Sequence, residues 1–536
     1  MKHLSFILLF LCAFTTVRSQ YVQKVTSINY YGVNGLNPSE ITVFKDKLYF
    51  FGTDDPVYVD KLVYTADGSA QGITFVKMID SAMTYTTLVH LTVLDNLLIF
   101  NNNKQLWKSD GTTAGTSAIA TLGISYGGFT VLGGKAYFAA DPASSYPLND
   151  QLWQTDGTSS GTSLLKTINP TGPAYISRPF PFGGKLFFSA TDGVNHIQLW
   201  VSDGTAAGTV MLKKINPTGD AYPSNFTEFN GKLYFAADDG VDGTQLWVTD
   251  GTTPGTLQVT TIGSASIGLS PSVMTVYNSK LYFMGLDNGS KYQLWSNDGT
   301  TTGTVLVKAD YTQRNGVSGF CPTDMAVYNN LLYMSGYDSI NNANQLWVSD
   351  GSTAGTTKIT TSAKGFGPGK MFPFKSRLIM TGYDTISGQE QLFASDGTLA
   401  GMVCPTPPDT WGQYPFYPWQ AWVPFHDALY YRGAYSYFSD YQLCRYSETP
   451  FGIEKPTPDD ISVYPNPTSG PLDIVIPGIK GDVFLEIYDC AGMLVRKQNS
   501  NGPVISMDLS NCTAGLYILR IIRNHQIIAS RKVILR

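Results

Sequence analysis

Most of this chain is written in short alternating runs of apolar and polar residues, each ended by a turn signal. Phe226 to Ile262 shows the unit. Phe226-Thr227-Glu228-Phe229 alternates, as a half-buried strand does. Asn230-Gly231 follows, a two-residue hairpin signal. Lys232 to Ala237 is apolar on both faces, which suits a strand held between two layers. A polar loop, Asp238 to Thr244, leads to Gln245-Leu246-Trp247-Val248. Asp250 to Thr256 turns the chain again, with Pro254-Gly255 at the two central places of an expected type II turn. Leu257 to Ile262 is a fourth strand. Four antiparallel strands in such a unit are one blade of a β-propeller.

The unit repeats. Gln-Leu-Trp-x-x-Asp-Gly-Thr-x-x-Gly-Thr stands at Gln105–Thr116, Gln151–Thr162, Gln198–Thr209, Gln245–Thr256 and Gln293–Thr304. Gln345–Thr356 carries Ser352 for the first Thr. Gln391–Met402 carries Phe393 for Trp and Met402 for the last Thr. Worn copies lie at Lys61–Gly68 and Gln442–Cys444. A period in the forties with strand content predicts a propeller. The second strand recurs from Lys47–Phe50 to Ala428–Tyr431. The fold expected is therefore all-β, a propeller of about eight to nine four-stranded blades. The last unit lacks a fourth strand, and Tyr21 to Ile28 is a spare one. Their pairing would close the ring and remove two sheet edges.

The repeat also accounts for its own motif residues. The Asp series, Asp67, Asp110, Asp156, Asp203, Asp250, Asp298, Asp350 and Asp396, offers either a ring of calcium or catalytic carboxylates or plain turn chemistry. Turn chemistry is favoured, because catalysis needs carboxylates in unequal environments. The tryptophans are expected to fill the space between blades. Asp238-Asp239-Gly240-Val241-Asp242-Gly243 and Asp192-Gly193-Val194-Asn195 have the richness of a calcium loop without the EF-hand pattern. No cofactor is implied, and calcium is the metal such loops suit. No nucleophile elbow, phosphate loop or metal-spaced His or Cys group appears.

One stretch breaks the pattern. Pro405 to Tyr441 is rich in aromatics and prolines, which make poor strand interiors. Trp411, Tyr414, Tyr417, Trp419 and Trp422 are the candidate ligand-binding residues, since rigid aromatic rings give large contact area at small entropic cost. The same rings could instead pack over the seam of the ring.

Thr449-Pro450 and Lys455-Pro456-Thr457-Pro458 mark a Pro-stiffened linker. Beyond it, short alternating runs in about 76 residues predict a small β-sandwich. The layout expected is 1–19 signal peptide, 20–446 propeller, 447–460 linker and 461–536 C-terminal domain. Lys2-His3, the apolar Leu4–Phe14 and Val17-Arg18-Ser19 form the signal pattern. No later run is apolar for the 18 residues of a membrane span. Charged residues are only 14% and the net charge is −5, which argues against a nucleic-acid partner. After the signal, Cys321, Cys404, Cys444, Cys490 and Cys512 remain. Cys404–Cys444 and Cys490–Cys512 are possible bridges, with free thiols the alternative.

Two resemblances add to this reading. The array resembles the bacterial ELWxxDGT-repeat proteins, with Gln for the leading Glu, which implies an exported propeller and no settled activity. The C-terminal run resembles the type A sorting domain of the type IX secretion system. It carries Val463-Tyr464-Pro465-Asn466-Pro467-Thr468-Ser469-Gly470, Ile487 to Val495 with Gly492, Ala514-Gly515-Leu516-Tyr517, and Lys532-Val533-Ile534-Leu535. Its implied signal residues are Tyr464, Pro465, Asn466, Pro467, Gly470, Gly492, Gly515, Tyr517 and Lys532. Cys490 departs from the family's usual polar or small residue. That resemblance implies delivery to the surface or medium of a Bacteroidota-type bacterium, with the secretion machinery and a sortase-like peptidase as partners. The expected function is surface or secreted binding of glycan or protein, without catalysis. The alternative is a secreted polysaccharide hydrolase or lyase.

Overall fold

The computed structural model describes residues 22–25, 38–52, 62–66, 73–79, 89–102, 105–124, 127–142, 149–264, 266–310, 313–314, 317–385, 388–405, 422–434, 441–448, 462–476, 482–489, 493–502, 504–523 and 526–536. The signal pattern, Asp67, Gly492 and most of the linker lie outside them. The described residues form two compact units, 22–448 and 462–536.

In the first unit, nine antiparallel blade sheets follow one another among the described residues, with a two-stranded hairpin, Gln313–Arg314 and Val317–Ser318, between the sixth and seventh. Blades 1 to 9 begin at the strands Ser39–Phe44, Val89–Leu94, Thr130–Leu132, Phe180–Phe182, Ser224–Phe229, Ser272–Tyr277, Thr323–Tyr328, Gly369–Phe374 and Val423–Phe425. These first strands pack against those of neighbouring blades, and that of blade 9 against that of blade 1. They are the innermost strands of a closed ring. Val22–Lys24 pairs antiparallel with Tyr441–Tyr446 and completes blade 9, as the spare N-terminal strand predicts. At the same seam His426 Nε2 lies 2.9 Å from Asp46 Oδ1. Blade 8 has three strands, Gly369–Phe374, Arg377–Asp384 and Gln389–Ser395, and a single bridge from Ala394 to Val403 in place of the fourth. Pro405 follows at once, and proline cannot donate to a ladder.

The core lies between blades. One cluster joins Phe187, Leu199, Val201 and Leu212 of blade 4 to Leu233, Phe235 and Trp247 of blade 5. The next joins Tyr234, Leu246 and Val248 of blade 5 to Leu281, Phe283 and Trp295 of blade 6. Trp200, Trp247, Trp295 and Trp347 are buried, and each Nε1 donates to a carbonyl of the adjacent strand, those of Ala190, Ala237, Gly285 and Gly336. Burying rings of this size between neighbouring sheets is a large apolar gain of the fold. In blade 9 Cys444 takes the tryptophan place and is buried.

The motif's other residues link blades through hydrogen bonds. Asp250 Oδ1 accepts from Thr252 N (2.9 Å) and Thr252 Oγ1 (2.7 Å), and Thr252 Oγ1 accepts from Gly255 N (3.0 Å). Thr256 Oγ1 lies 2.8 Å from Thr249 Oγ1. The turn differs from the type II form expected of Pro254-Gly255. The left-handed residue is Gly251 (φ 90°). Gly255 is needed for space instead, since an added Cβ would overlap the Asp250 carboxylate. The latch then reaches the preceding blade. Thr253 Oγ1 donates to Leu212 O (2.8 Å), and Lys213 Nζ donates to Thr256 O (2.6 Å). Tyr234 Oη donates to Gly299 O and Tyr282 Oη to Gly351 O, each one blade further on. Asn230-Gly231 is the expected hairpin turn, with both residues left-handed at 50° and 67°.

The leading glutamine staples the chain between blades. Gln198 is fully buried. Its Oε1 accepts from Ile215 N and Asn216 N, and its Nε2 donates to Asn195 O, Asn216 O and Gly219 O. An amide serves here because it donates and accepts at once.

The second unit packs the sheet Ser462–Tyr464, Pro471–Val475, Val504–Asp508 with the sheet Leu494–Ser500, Val483–Tyr488, Gly515–Arg523, Gln526–Leu535. Alternate residues of both fill one core, including Leu472, Ile474, Leu485, Ile487, Leu519, Ile521 and Val533. It is the β-sandwich that the alternating runs predict.

Two outcomes follow for stability. Gln198→Leu leaves two amides and three carbonyls without their partner. Each buried group left so costs about 1–3 kcal/mol, and part of that is recovered by water. The variant is expected to lose at least about 2 kcal/mol in chemical denaturation; an unchanged midpoint would refute the staple. Second, the hydroxyl and then the amide of the residue two places on hold the carboxyls of Asp110, Asp156, Asp203, Asp250, Asp298, Asp350 and Asp396 below the ordinary range. A carboxyl depressed in the folded state adds stability above its unfolded pKa and loses it as pH falls through the folded value. The thermal midpoint should therefore drop steadily as pH falls below about 4. A midpoint that stays level down to pH about 2 would show that the latches do not need the charge.

Candidate functional site

The structure brings together a set of residues that the repeat does not explain. In every blade the first strand pairs with the second in the same register: Thr42 faces Tyr49, Thr92 faces Ile99, Thr227 faces Tyr234 and Phe372 faces Ile379. Two residues earlier, six of these strands carry a bulge. The bulge residues are Glu40, His90, Asn225, Val273, Asp324 and Lys370, all left-handed with φ between 48° and 63°. Blades 3 and 4 place Gly128 (φ 72°) and Arg178 there. The equivalent Ala421 lies outside the described residues. A left-handed non-glycine residue costs about 1–3 kcal/mol, and such strain gathers at functional sites.

These side chains reach across blade boundaries. Arg178 Nη2 donates to Phe129 O (3.0 Å) of blade 3, and Asn225 Nδ2 to Pro271 O (3.2 Å) of blade 6. His90 meets the edge of the Phe129 ring, and a Cβ on Gly128 would sit 2.9 Å from His90 Nδ1, so glycine makes room for the imidazole. Burial raises the Glu40 carboxyl pKa, opposed by Arg178 and by the His90 and Leu91 amides. Burial, with Arg178, lowers that of His90, which favours the neutral ring. Burial also lowers that of Lys370, opposed by Asp324 and Glu390. Two ionisable clusters therefore share one level of the ring: Glu40, His90 and Arg178 on blades 1, 2 and 4, and Asp324 and Lys370 on blades 7 and 8, with Glu390 of the third strand of blade 8 acting on Lys370. Donors and acceptors of unlike charge fit a polar ligand. The carboxylates Glu40 and Asp324 stand with blades 8 and 9 between them.

Three residues further along each first strand the character changes. Val43, Val93, Val131, Pro181, Val276, Val327, Pro373 and Pro424 share one register position, and only Glu228 is polar. The polar level is thus confined to one end of the inner strands.

The residues singled out in the sequence fare differently. Trp411, Tyr414, Tyr417 and Trp419 lie outside the described residues. Trp422 is buried, packs edge-on against Tyr431, and donates Nε1 to Lys370 O (2.8 Å). It holds the inner-strand core position that Leu91, Phe129 and Met371 hold elsewhere, so it is a packing residue and not an exposed anchor. The described Asp residues of the repeat spend their carboxylates on turn hydrogen bonds. Asp192 accepts from Val194 N and Asn195 N, and Asp239 from Val241 N and Asp242 N. Among the described residues no group of three or more His, Cys, Asp or Glu is placed to hold a metal. Cys404, Cys444 and Cys512 carry no disulfide, which overturns both suggested bridges; Cys490 lies outside the described residues. Cys444 is buried in the blade core, whereas Cys404 is exposed. The bulge residues escaped sequence reading because they fall in no repeated word. A signal was present in retrospect: Glu40, His90, Arg178, Asn225, Asp324 and Lys370 stand two places before the alternating strand.

In the second unit the motif residues mostly build the sandwich. Asn466 Nδ2 donates to Lys532 O (2.6 Å), and Asn466 Oδ1 accepts from Ile534 N (2.9 Å). Gly470 (φ 142°) packs where a Cβ would overlap Ser510 Oγ. Tyr517 is buried and donates to Thr513 O. Tyr464 and Lys532 are exposed.

Residues 462–536 match a family model described as a secretion system C-terminal sorting domain. The tail is thus a sorting domain of type IX secretion, handled by that machinery. The protein it belongs to is exported, and is either secreted or attached to the cell surface. Among the described residues no helix is long and apolar enough to cross a membrane. No curated protein matches the chain. Similar solved structures include a puromycin hydrolase (12% identity, 67% of this chain and 58% of that chain, TM-score 0.34). They also include the β-propeller domain of the trilobed protease from Pyrococcus furiosus (10%, 70% and 99%, TM-score 0.33). A third is the extracellular domain of a one-component system from B. thetaiotaomicron (13%, 93% and 79%, TM-score 0.30). Likeness at this level carries no functional argument.

Proposed function

We propose that the exported propeller is a binding protein for a glycan or protein, and that its ligand sits on the ring end that carries the inner-strand bulges. The observation behind this is the unlike chemistry of equivalent positions. Elsewhere the blades repeat their residues; here they present Glu40, His90, Arg178, Asn225, Asp324 and Lys370. A framework role would be served by one residue type in every blade. Trp422 itself donates to Lys370 O at this level, and the aromatics Trp411, Tyr414, Tyr417 and Trp419 are kept as candidate contacts. We read the array as an ELWxxDGT-repeat propeller, on its seven motif copies. Met1–Ser19 is read as its signal peptide, and the tail as the part removed by a sortase-like peptidase.

A second reading, a polysaccharide hydrolase or lyase, is favoured by one feature. Glu40 has a raised carboxyl pKa next to a neutral His90 and a guanidinium, which suits proton transfer. Release of sugar ends by the wild type and not by Glu40→Gln would establish it.

The binding reading is tested with the bead-immobilised propeller and surface polysaccharide and protein extracts of the secreting organism. The wild type is expected to retain material that Arg178→Ala/Lys370→Ala retains at least about tenfold less well, given the 1.5–3 kcal/mol of a charged hydrogen bond. Equal retention by folded variants would count against it.

A further inference from the structure

Blades 4 and 5 carry a duplicated structure outside the Gln-Leu-Trp motif. Asn169-Pro170-Thr171-Gly172-Pro173-Ala174-Tyr175 precedes the first strand of blade 4, and Asn216-Pro217-Thr218-Gly219-Asp220-Ala221-Tyr222 that of blade 5. The two are held alike. Asn169 Oδ1 accepts from Thr171 N, and Asn216 Oδ1 from Thr218 N. Asn169 Nδ2 donates to Pro173 O and Asn216 Nδ2 to Asp220 O. Ala174 and Ala221 are fully buried and receive the Thr191 and Asp238 amides. Each then hands the chain to an exposed tyrosine: Tyr175 is 62% and Tyr222 60% exposed.

Both tyrosines are left-handed, at 49° and 46°. A bulky residue is costly in that region. The corresponding places before blades 6, 7 and 8 are also left-handed, and they hold Ser270, Cys321 and Gly367. The fold therefore needs the backbone shape and not the ring. Each tyrosine stands three residues before its blade's inner-strand position, Arg178 and Asn225 respectively, so the pair borders the polar level already described.

We infer that Tyr175 and Tyr222 form a tandem stacking platform for a neutral linear polysaccharide, two sugar faces resting on two rings one blade apart. This rests on the binding reading above and names its ligand class. Four features favour that ligand. A duplicated surface suits a ligand that itself repeats. Rigidly held tyrosines offer large flat apolar area at small entropic cost. Polar groups for sugar hydroxyls flank Tyr222: its Oη donates to Asp220 Oδ2 (2.9 Å), and the half-exposed His196 lies 3.9 Å from Asp220 Oδ1. Last, Asp220 stands against Tyr222, and Asp192 and Asp239 lie in turns of the same two blades, negative charge that disfavours an acidic polymer.

The test is affinity electrophoresis of the full chain in gels containing xylan, glucomannan or laminarin, with alginate as the acidic comparison. Glycine suits a left-handed backbone, so Tyr175→Gly and Tyr222→Gly should keep or raise the thermal midpoint. We expect at least one neutral polymer to retard the wild type, each single variant to weaken that roughly five- to tenfold and the double variant to abolish it, with alginate causing no retardation. The inference is overturned if no neutral polymer retards the chain, if alginate retards it as strongly, or if the folded double variant is retarded like the wild type. If Arg178→Ala/Lys370→Ala loses retention and the tyrosine pair keeps it, the face binds without the platform and this inference alone fails. If neither variant matters, the binding reading fails with it.

Discussion

A blade of this protein cannot hold itself together. Its second and third strands are apolar on both faces, and its tryptophan rests against the sheet next door. Each blade therefore depends on two neighbours, and the row of nine has a free end at each side unless it closes. Closure is made by three residues, Val22 to Lys24, which lend the last sheet its missing strand. Without that pairing the outer edge of Tyr441–Tyr446 would be left unpaired, the arrangement natural sheets avoid. The other features follow from this dependence. A glutamine that both donates and accepts staples the inter-blade crossing at Gln151, Gln198, Gln245, Gln293 and Gln345. An Asp-Gly-Thr turn gives its spare hydroxyl to the blade behind it.

This dependence explains which residues could be read in the sequence. A residue that must do the same job in every blade appears at every period. Trp247, Gln245, Asp250 and Gly255 were legible for that reason, and so was the closing strand, because the last unit lacked one. Even there, spacing named the residues better than their geometry. Gly255 looks like a left-handed turn residue beside Pro254, yet it is there so that the Asp250 carboxylate can approach. Trp422 looked like part of an exposed aromatic stretch, yet it occupies the core position of an inner strand. Composition could not separate these cases, since what decides them is register, and register is a property of paired strands.

The functional candidates were illegible for the converse reason. Glu40, His90, Arg178, Asn225, Asp324 and Lys370 share no word of sequence. They share a place, two residues before the inner strand's regular pairing, where five of them sit in a bulge. The regularity lies in the backbone, which is left-handed at five of those residues and at Val273, while the side chains vary. A ring fold separates the two demands: its repeated positions carry stability, so one level of its inner strands is left free to differ. Backbone strain at that level can be borne because the surrounding sheets over-determine the chain.

The same division runs through the sorting unit, although its fold is unrelated. Asn466 is the central residue of its most recognisable word, and both ends of its amide are spent on the final strand. Gly470 and Tyr517 are likewise committed to packing. The residues that make the family recognisable are thus mostly those that make the sandwich fold, while Tyr464 and Lys532 are left exposed. Motif residues in this protein are framework first. A search for what it binds therefore begins where the motifs stop, at positions the fold holds rigidly and does not itself use.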